Sequence, residues 1–121
     1  MKHWAPPPIE LRPDQLTEAK RVATLLSNHS HGDIDLWVSM LGFAIERHPL
    51  LPPVNAIIIK QTIIIRKGMT RIEEIRAIAH EYAHHKFHPR AVQFRDLPSR
   101  TIAKNEGQAK AFAEEVLIYS T

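Results

Sequence analysis

Ile75-Arg76-Ala77-Ile78-Ala79-His80-Glu81-Tyr82-Ala83-His84-His85-Lys86-Phe87-His88 is the stretch whose reading decides what this chain builds. Ile75, Ala79, Tyr82 and Ala83, with Ile72 just before them, recur at three- and four-residue spacing, which predicts a helix with an apolar stripe packed on a sheet. Residues four apart lie about one turn above one another, so this helix places the His80 and His84 imidazoles where both can reach a single Zn2+. Glu81 then sits beside the same point, positioned to act as a base on a water molecule.

Working outward, Thr70 and Glu73 have the spacing of a capping box and mark the start of this helix, and Pro89 marks its end. Upstream, residues 56–60 and 62–66 are the two most β-branched runs of the chain and read as strands, a hairpin being favoured over one long bent strand. Lys60-Gln61 between them is not the Asn-Gly type of turn a two-residue loop prefers, so an irregular turn is expected. Residues 43–48 alternate enough for a further strand, with a continuing helix as the other possibility, and Gly42 favours the strand by stopping the helix before it. That short helix begins near Ile34, capped by Asp33, with Trp37, Met40 and Leu41 as its apolar positions. Pro13 suits a first helical position, and Leu16, Ala19, Ala23 and Leu26 then define a helix over residues 14 to about 27, closed by Asn28 through Gly32. Residues 1–12, with three consecutive prolines, read as an extended arm. Downstream, residues 89 to about 101 form a polar connection before a last helix from about 102 to 119, whose stripe is Ala109, Phe112, Ala113, Val116 and Leu117. The expected architecture is α+β: a small three-stranded, mainly antiparallel sheet packed against the His80–His84 helix, with N-terminal helices and a C-terminal helix, all in one domain over residues 1–121.

Two histidines do not complete a zinc site. His88 continues the four-residue spacing, but along a straight helix it lies about 12 Å from His80, too far to share an ion held at about 2 Å. It reads instead as a helix-end histidine beside the last carbonyls. The pattern also lacks Gly at position 87 and His at 90, which excludes the extended metzincin arrangement. The last helix offers Glu106, Glu114 and Glu115. Glu106 falls on the face of the buried stripe, Glu115 nearly opposite and Glu114 on the flank, so Glu106 is favoured as the third ligand. His29, His31, Asp33 and Asp35 match no ligand spacing and read as loop and cap residues.

Composition narrows the chemistry further. The chain has 121 residues and no cysteine, which removes disulfides, thiolate metal sites and a cysteine nucleophile, so a metal would rest on His, Asp and Glu. Sixteen Lys+Arg against thirteen Asp+Glu give a net charge of +3, with no run of like charge that would favour nucleic acid. No apolar run reaches membrane-spanning length and no signal-peptide pattern opens the chain, so a cytoplasmic protein is expected, with no membrane partner.

The two motif blocks resemble the ImmA/IrrE family of zinc metallopeptidases. Ile78 through His88 is similar to that family's "iAHElgHlllH", and Glu106 through Leu117 to its "ExxAnxFAxxLL", with weaker similarity from Ile34 to Phe43 and over residues 62–66. Ala83 stands where the family usually has Gly, and the family's Met-Pro after the last helix is not found within the chain. The resemblance implies a minimal zincin-like fold, zinc held by His80, His84 and Glu106, Glu81 as catalytic base, and cleavage of a helix-turn-helix transcriptional repressor in stress or mobile-element responses. An edge strand, for which residues 62–66 are the candidate, would take the substrate as an added strand. Tyr82, His85, His88 and Tyr119 are the side chains available to stabilise an oxyanion, although packing or surface roles suit each of them better. The alternative is a zinc-binding module of the same fold that recognises a partner protein without cutting it.

Overall fold

The computed structural model describes residues 10–89 and 99–120. The expected N-terminal arm therefore lies mostly outside the described residues, as does most of the connection expected over 89–101. Helix α1 (Pro13–Thr24) opens with Pro13 at a position where its missing N–H costs nothing, and runs into a π-helical turn (Leu25–His29). Ser30 N–H closes that turn on Leu25 O at 2.8 Å, and Gly32 N–H reaches back to Leu26 O at 2.8 Å with Gly32 in the left-handed region (φ 81°). Helix α2 (Ile34–Met40) is capped by Asp33, whose side chain accepts from Leu36 N–H at 3.1 Å. Gly42, at φ 92°, ends the helical segment and frees the next residues to extend.

Three strands follow: β1 (Ala44–His48), β2 (Ala56–Ile59) and β3 (Thr62–Arg66). β2 and β3 form the expected antiparallel hairpin, turning through Lys60 at φ 56°, a conformation a lysine seldom adopts and the local cost of a turn without Asn-Gly. The sheet as a whole is mixed, with order β1-β3-β2, because β1 runs parallel to β3. β3 occupies the centre since it alone presents a fully buried apolar pair, Ile63 and Ile65, both at 0% exposure. Thr62–Arg66 is therefore no free edge. That expectation is corrected: both sides of β3 are already paired, and the open edge on the hairpin side belongs to β2.

Helix α3 (Arg71–Phe87) begins with the capping box anticipated from Thr70 and Glu73: Glu73 N–H donates to Thr70 Oγ1 at 3.2 Å, and Thr70 N–H to Glu73 Oε1 at 3.1 Å. Helix α4 (Ser99–Ser120) lies against both α1 and α3. The core between helices and sheet gathers Val22, Leu26, Trp37, Ile63, Ile65, Ile78, Phe112 and Val116, all essentially inaccessible. Ile78, absent from the expected stripe of α3, is fully buried because the helix is covered by the sheet on one side and by α4 on another. Ile72 is 58% exposed, and Met40 likewise lies outside the core, where Val38 takes the buried position. Trp37 donates its indole N–H to Val22 O at 3.0 Å, which satisfies the one polar atom it carries into the interior.

Candidate metal centre

α3 presents two polar faces. On the face turned to α4, His80 Nε2 and His84 Nε2 lie 3.1 Å apart, with ring centroids separated by 4.8 Å. Glu106, from the first half of α4, extends its carboxylate to both: Oε1 is 2.7 Å from His84 Nε2 and Oε2 is 3.2 Å from His80 Nε2. Glu106, expected on the face of the buried stripe, meets the two histidines, but its side chain is 48% exposed, while those of His80 and His84 are 21% and 17% exposed. Glu106 thus sits at the mouth of a cleft and not in the core, so water can reach the point where the donors meet.

These donors fit a metal by both chemistry and spacing. Four-coordinate zinc with bonds of about 2.0–2.1 Å needs donor atoms separated by roughly 3.3 Å. The two histidine nitrogens are 3.1 Å apart, Glu106 reaches them through different oxygens at 2.7 and 3.2 Å, and one donor atom from each of the three residues lies within 4.8 Å of the others. Among the described residues this is the one group of three or more His, Asp or Glu side chains with such convergence. His29, His31, Asp33 and Asp35 form no such group: Asp33 caps α2 and Asp35 pairs with Arg47 at 2.8 Å.

The cleft is about 770 Å³ and lies between the β2 side of the sheet, α3 and α4. His80, Glu81 and Glu106 line it together with Val54, Ala56 and Ile57 from the sheet side and Lys110 from α4. Burial, followed by the nearby charge of Glu106, pushes the Glu81 carboxyl up to about 7, so near neutral pH this group exists in both protonation states. Burial holds His80 below the usual histidine range, against the opposing pull of Glu106, and so favours the neutral imidazole that metal ligation requires. Glu114, on the flank of α4, pairs with Arg76 at 2.7 Å on the cleft wall.

The side chains considered for an oxyanion do not line this cleft. Tyr82 is turned to α1, where its hydroxyl donates to Glu18 Oε2 at 2.5 Å. His85 packs edge-on against Phe43, with centroids 5.0 Å apart, and Tyr119 lies under Lys20. His88, read from sequence as a helix-end residue, has a more specific position: its Nδ1 is 3.4 Å from His84 Nδ1, and its Nε2 is 2.8 Å from Gln108 Oε1. The four-residue spacing from His84 to His88 signalled that contact, whereas nothing in sequence marked Gln108.

No curated protein matches the chain in sequence. A solved structure, a Mycobacterium tuberculosis transcriptional regulator, has the same fold over 88% of this chain with a TM-score of 0.62 and 15% sequence identity. The chain spans only 36% of that regulator's length. The family model described as the IrrE N-terminal-like domain, a peptidase family, matches residues 38–121, which include β1 to β3, both histidines, Glu81 and Glu106. With more than two-thirds of its length matched, including the α3 and α4 motif blocks, the chain belongs to the IrrE N-terminal-like domain family.

Proposed function

We propose that this chain is a zinc-dependent peptidase in which His80, His84 and Glu106 hold the metal and Glu81 is the general base. The observation that carries the reading is the convergence of three donor atoms beside a buried carboxylate on the wall of one cleft. Zinc, when bound, supplies Lewis acidity that polarises a carbonyl and acidifies water. The protein's own contribution is proton handling and orientation. Glu81, raised to about 7, can accept a proton from water as it attacks and then return it to the departing amine. The low polarity that raises Glu81 also strengthens electrostatic interactions within the site.

β2 offers the substrate a backbone to pair with. It is an edge strand, and Ala56 and Ile57 lie on the cleft wall across from His80 and Glu81. A peptide added along β2 would obtain affinity from main-chain hydrogen bonds and selectivity from alternate side chains. The substrate proposed from the family resemblance is a helix-turn-helix repressor. The test is zinc content together with cleavage of a candidate repressor by the wild type and by Glu81→Gln. Zinc at one equivalent with cleavage abolished in Glu81→Gln supports the peptidase. A chain that takes up no zinc, or a Glu81→Gln variant that cuts at the wild-type rate, refutes it, and stoichiometric zinc without any cleavage points to a recognition module.

A further inference from the structure

His84 is the best-supported residue of the α3–α4 cluster, and its support comes from two side chains outside the ligand set. Its Nε2 faces His80 and Glu106, while its Nδ1 faces His88 Nδ1 at 3.4 Å. His88 in turn directs Nε2 at Gln108 Oε1, 2.8 Å away. Gln108 is 8% exposed and sits two residues beyond Glu106 on the same helix.

Proton bookkeeping along this line has a definite direction. An amide oxygen can only accept, so His88 Nε2 carries the hydrogen and donates to Gln108. A neutral His88 then has a bare Nδ1, which must accept, so His84 Nδ1 carries the hydrogen that lies between the two rings. With a cation in the cluster, that leaves the lone pair of His84 on Nε2 for ligation; without one, Glu106 Oε1, which can only accept, needs at 2.7 Å a hydrogen on that same nitrogen, the one a metal would displace. We infer that His88 and Gln108 form a positioning relay that fixes the tautomer and ring orientation of His84 for metal ligation through Nε2. His88 and Gln108 act through His84 and touch neither substrate nor metal. The inference rests on the proposed metal site and adds to it. It also explains how α4 contributes twice: once with a ligand, Glu106, and once, two residues on, with the acceptor that ends the relay.

The relay is tested by measuring zinc affinity through chelator competition on the full chain and on His88→Phe, Gln108→Leu and Gln108→Glu. His88→Phe keeps a ring of similar size but removes both nitrogens, and is expected to raise the zinc Kd about 10- to 100-fold, the usual effect of losing the hydrogen-bond partner of a ligating histidine. Gln108→Leu is expected to raise it by up to about 10-fold, and Gln108→Glu, which retains an acceptor, to restore wild-type affinity or tighten it. The second readout is the His84 Nδ1–H proton in the Co2+-loaded protein by NMR: slowly exchanging in the wild type and in Gln108→Glu, and rapidly exchanging in His88→Phe. Circular dichroism of the metal-free variants separates loss of fold from loss of the relay. Zinc affinity unchanged within about twofold in both His88→Phe and Gln108→Leu overturns the relay while leaving the metal site standing. A wild-type chain that binds neither zinc nor cobalt overturns the metal site itself.

Discussion

Two polar clusters on α3, two residues apart in sequence, face opposite neighbours and have opposite electrostatic character. Tyr82 meets Glu18 and Arg21 of α1: its hydroxyl donates to Glu18 Oε2, Arg21 donates to Glu18 Oε1 at 2.6 Å and to the Tyr82 oxygen at 3.1 Å, and Lys86 stands 3.8 Å from Glu18. Every acceptor there has a donor and the carboxylate has its cations. His80, His84 and Glu106 instead face one another, and neither Glu81 nor Glu106 forms an ion pair with an arginine or lysine among the described residues. The first cluster is complete within the chain and fastens α3 to α1. The second is a group that could hold a metal ion. A shared helix thus carries a structural cluster and a candidate metal cluster, distinguished by whether the chain supplies its own positive charge.

Substitutions in the two clusters should therefore separate stability from chemistry. The largest effect is expected at Glu81→Gln, which should lower cleavage by about 10²- to 10⁴-fold, the range for losing a positioned proton acceptor, with zinc content unchanged by elemental analysis. His84→Ala and Glu106→Ala should each weaken zinc binding by more than about 100-fold in chelator competition, beyond the effect of losing a supporting hydrogen-bond partner, with little change in the melting temperature of the metal-free chain. Across the helix, Tyr82→Phe should cost about 1–3 kcal/mol in denaturant unfolding, because it leaves Glu18 short of a donor, and should not alter zinc affinity. A Tyr82→Phe variant that lost zinc at full stability would break the comparison.

The pH dependence of stability sharpens it further. Arg21 first, and then the Tyr82 hydroxyl, hold the Glu18 carboxyl below its ordinary value of 4.5, against burial. A depressed carboxyl contributes stability that is present above its unfolded pKa and is lost as pH falls through the folded one. Melting temperature should therefore decline below about pH 4.5, and Glu18→Gln should flatten that decline. Burial first, with Glu18 second, pushes Tyr82 up to about 12, so its contribution is full below the ordinary value of 10 and is lost as pH rises from 10 to about 12. The smallest effect is expected at Arg47, which joins β1 to α2 and α3 through Asp35 at 2.8 Å and Glu74 at 2.9 Å from a half-exposed position. Arg47→Ala should cost about 1 kcal/mol or less, with no change in zinc binding.

The sequence was most legible where chemistry depends on short spacing. Thr70 and Glu73, Asp33, Gly42 and the two β-branched runs all specify their own conformations through groups at most a few residues apart, and each appears as expected. His80 and His84 are of the same kind, since one helical turn brings them together whatever surrounds the helix. Legibility failed where an element's neighbours had to be known. The parallel pairing of β1 with β3 is set by which strand can bury Ile63 and Ile65, and it moved the available edge from β3 to β2. Ile72 has the spacing of a core residue, yet it sits in the first turn of α3 and is 58% exposed.

By itself, then, the sequence determined the local elements, the pair of histidines with Glu81 between them, and the face on which Glu106 lies, because helical and strand periods convert residue order directly into direction. Only the tertiary structure decided that Glu106 meets both histidines at the mouth of a cleft, that β2 lines that cleft, and that Gln108 closes a line of hydrogen bonds through His88 to His84. The reason is that these contacts join residues about twenty or more positions apart. Their geometry is fixed by how the helices and the sheet pack over a common core, and no period within a single segment encodes it.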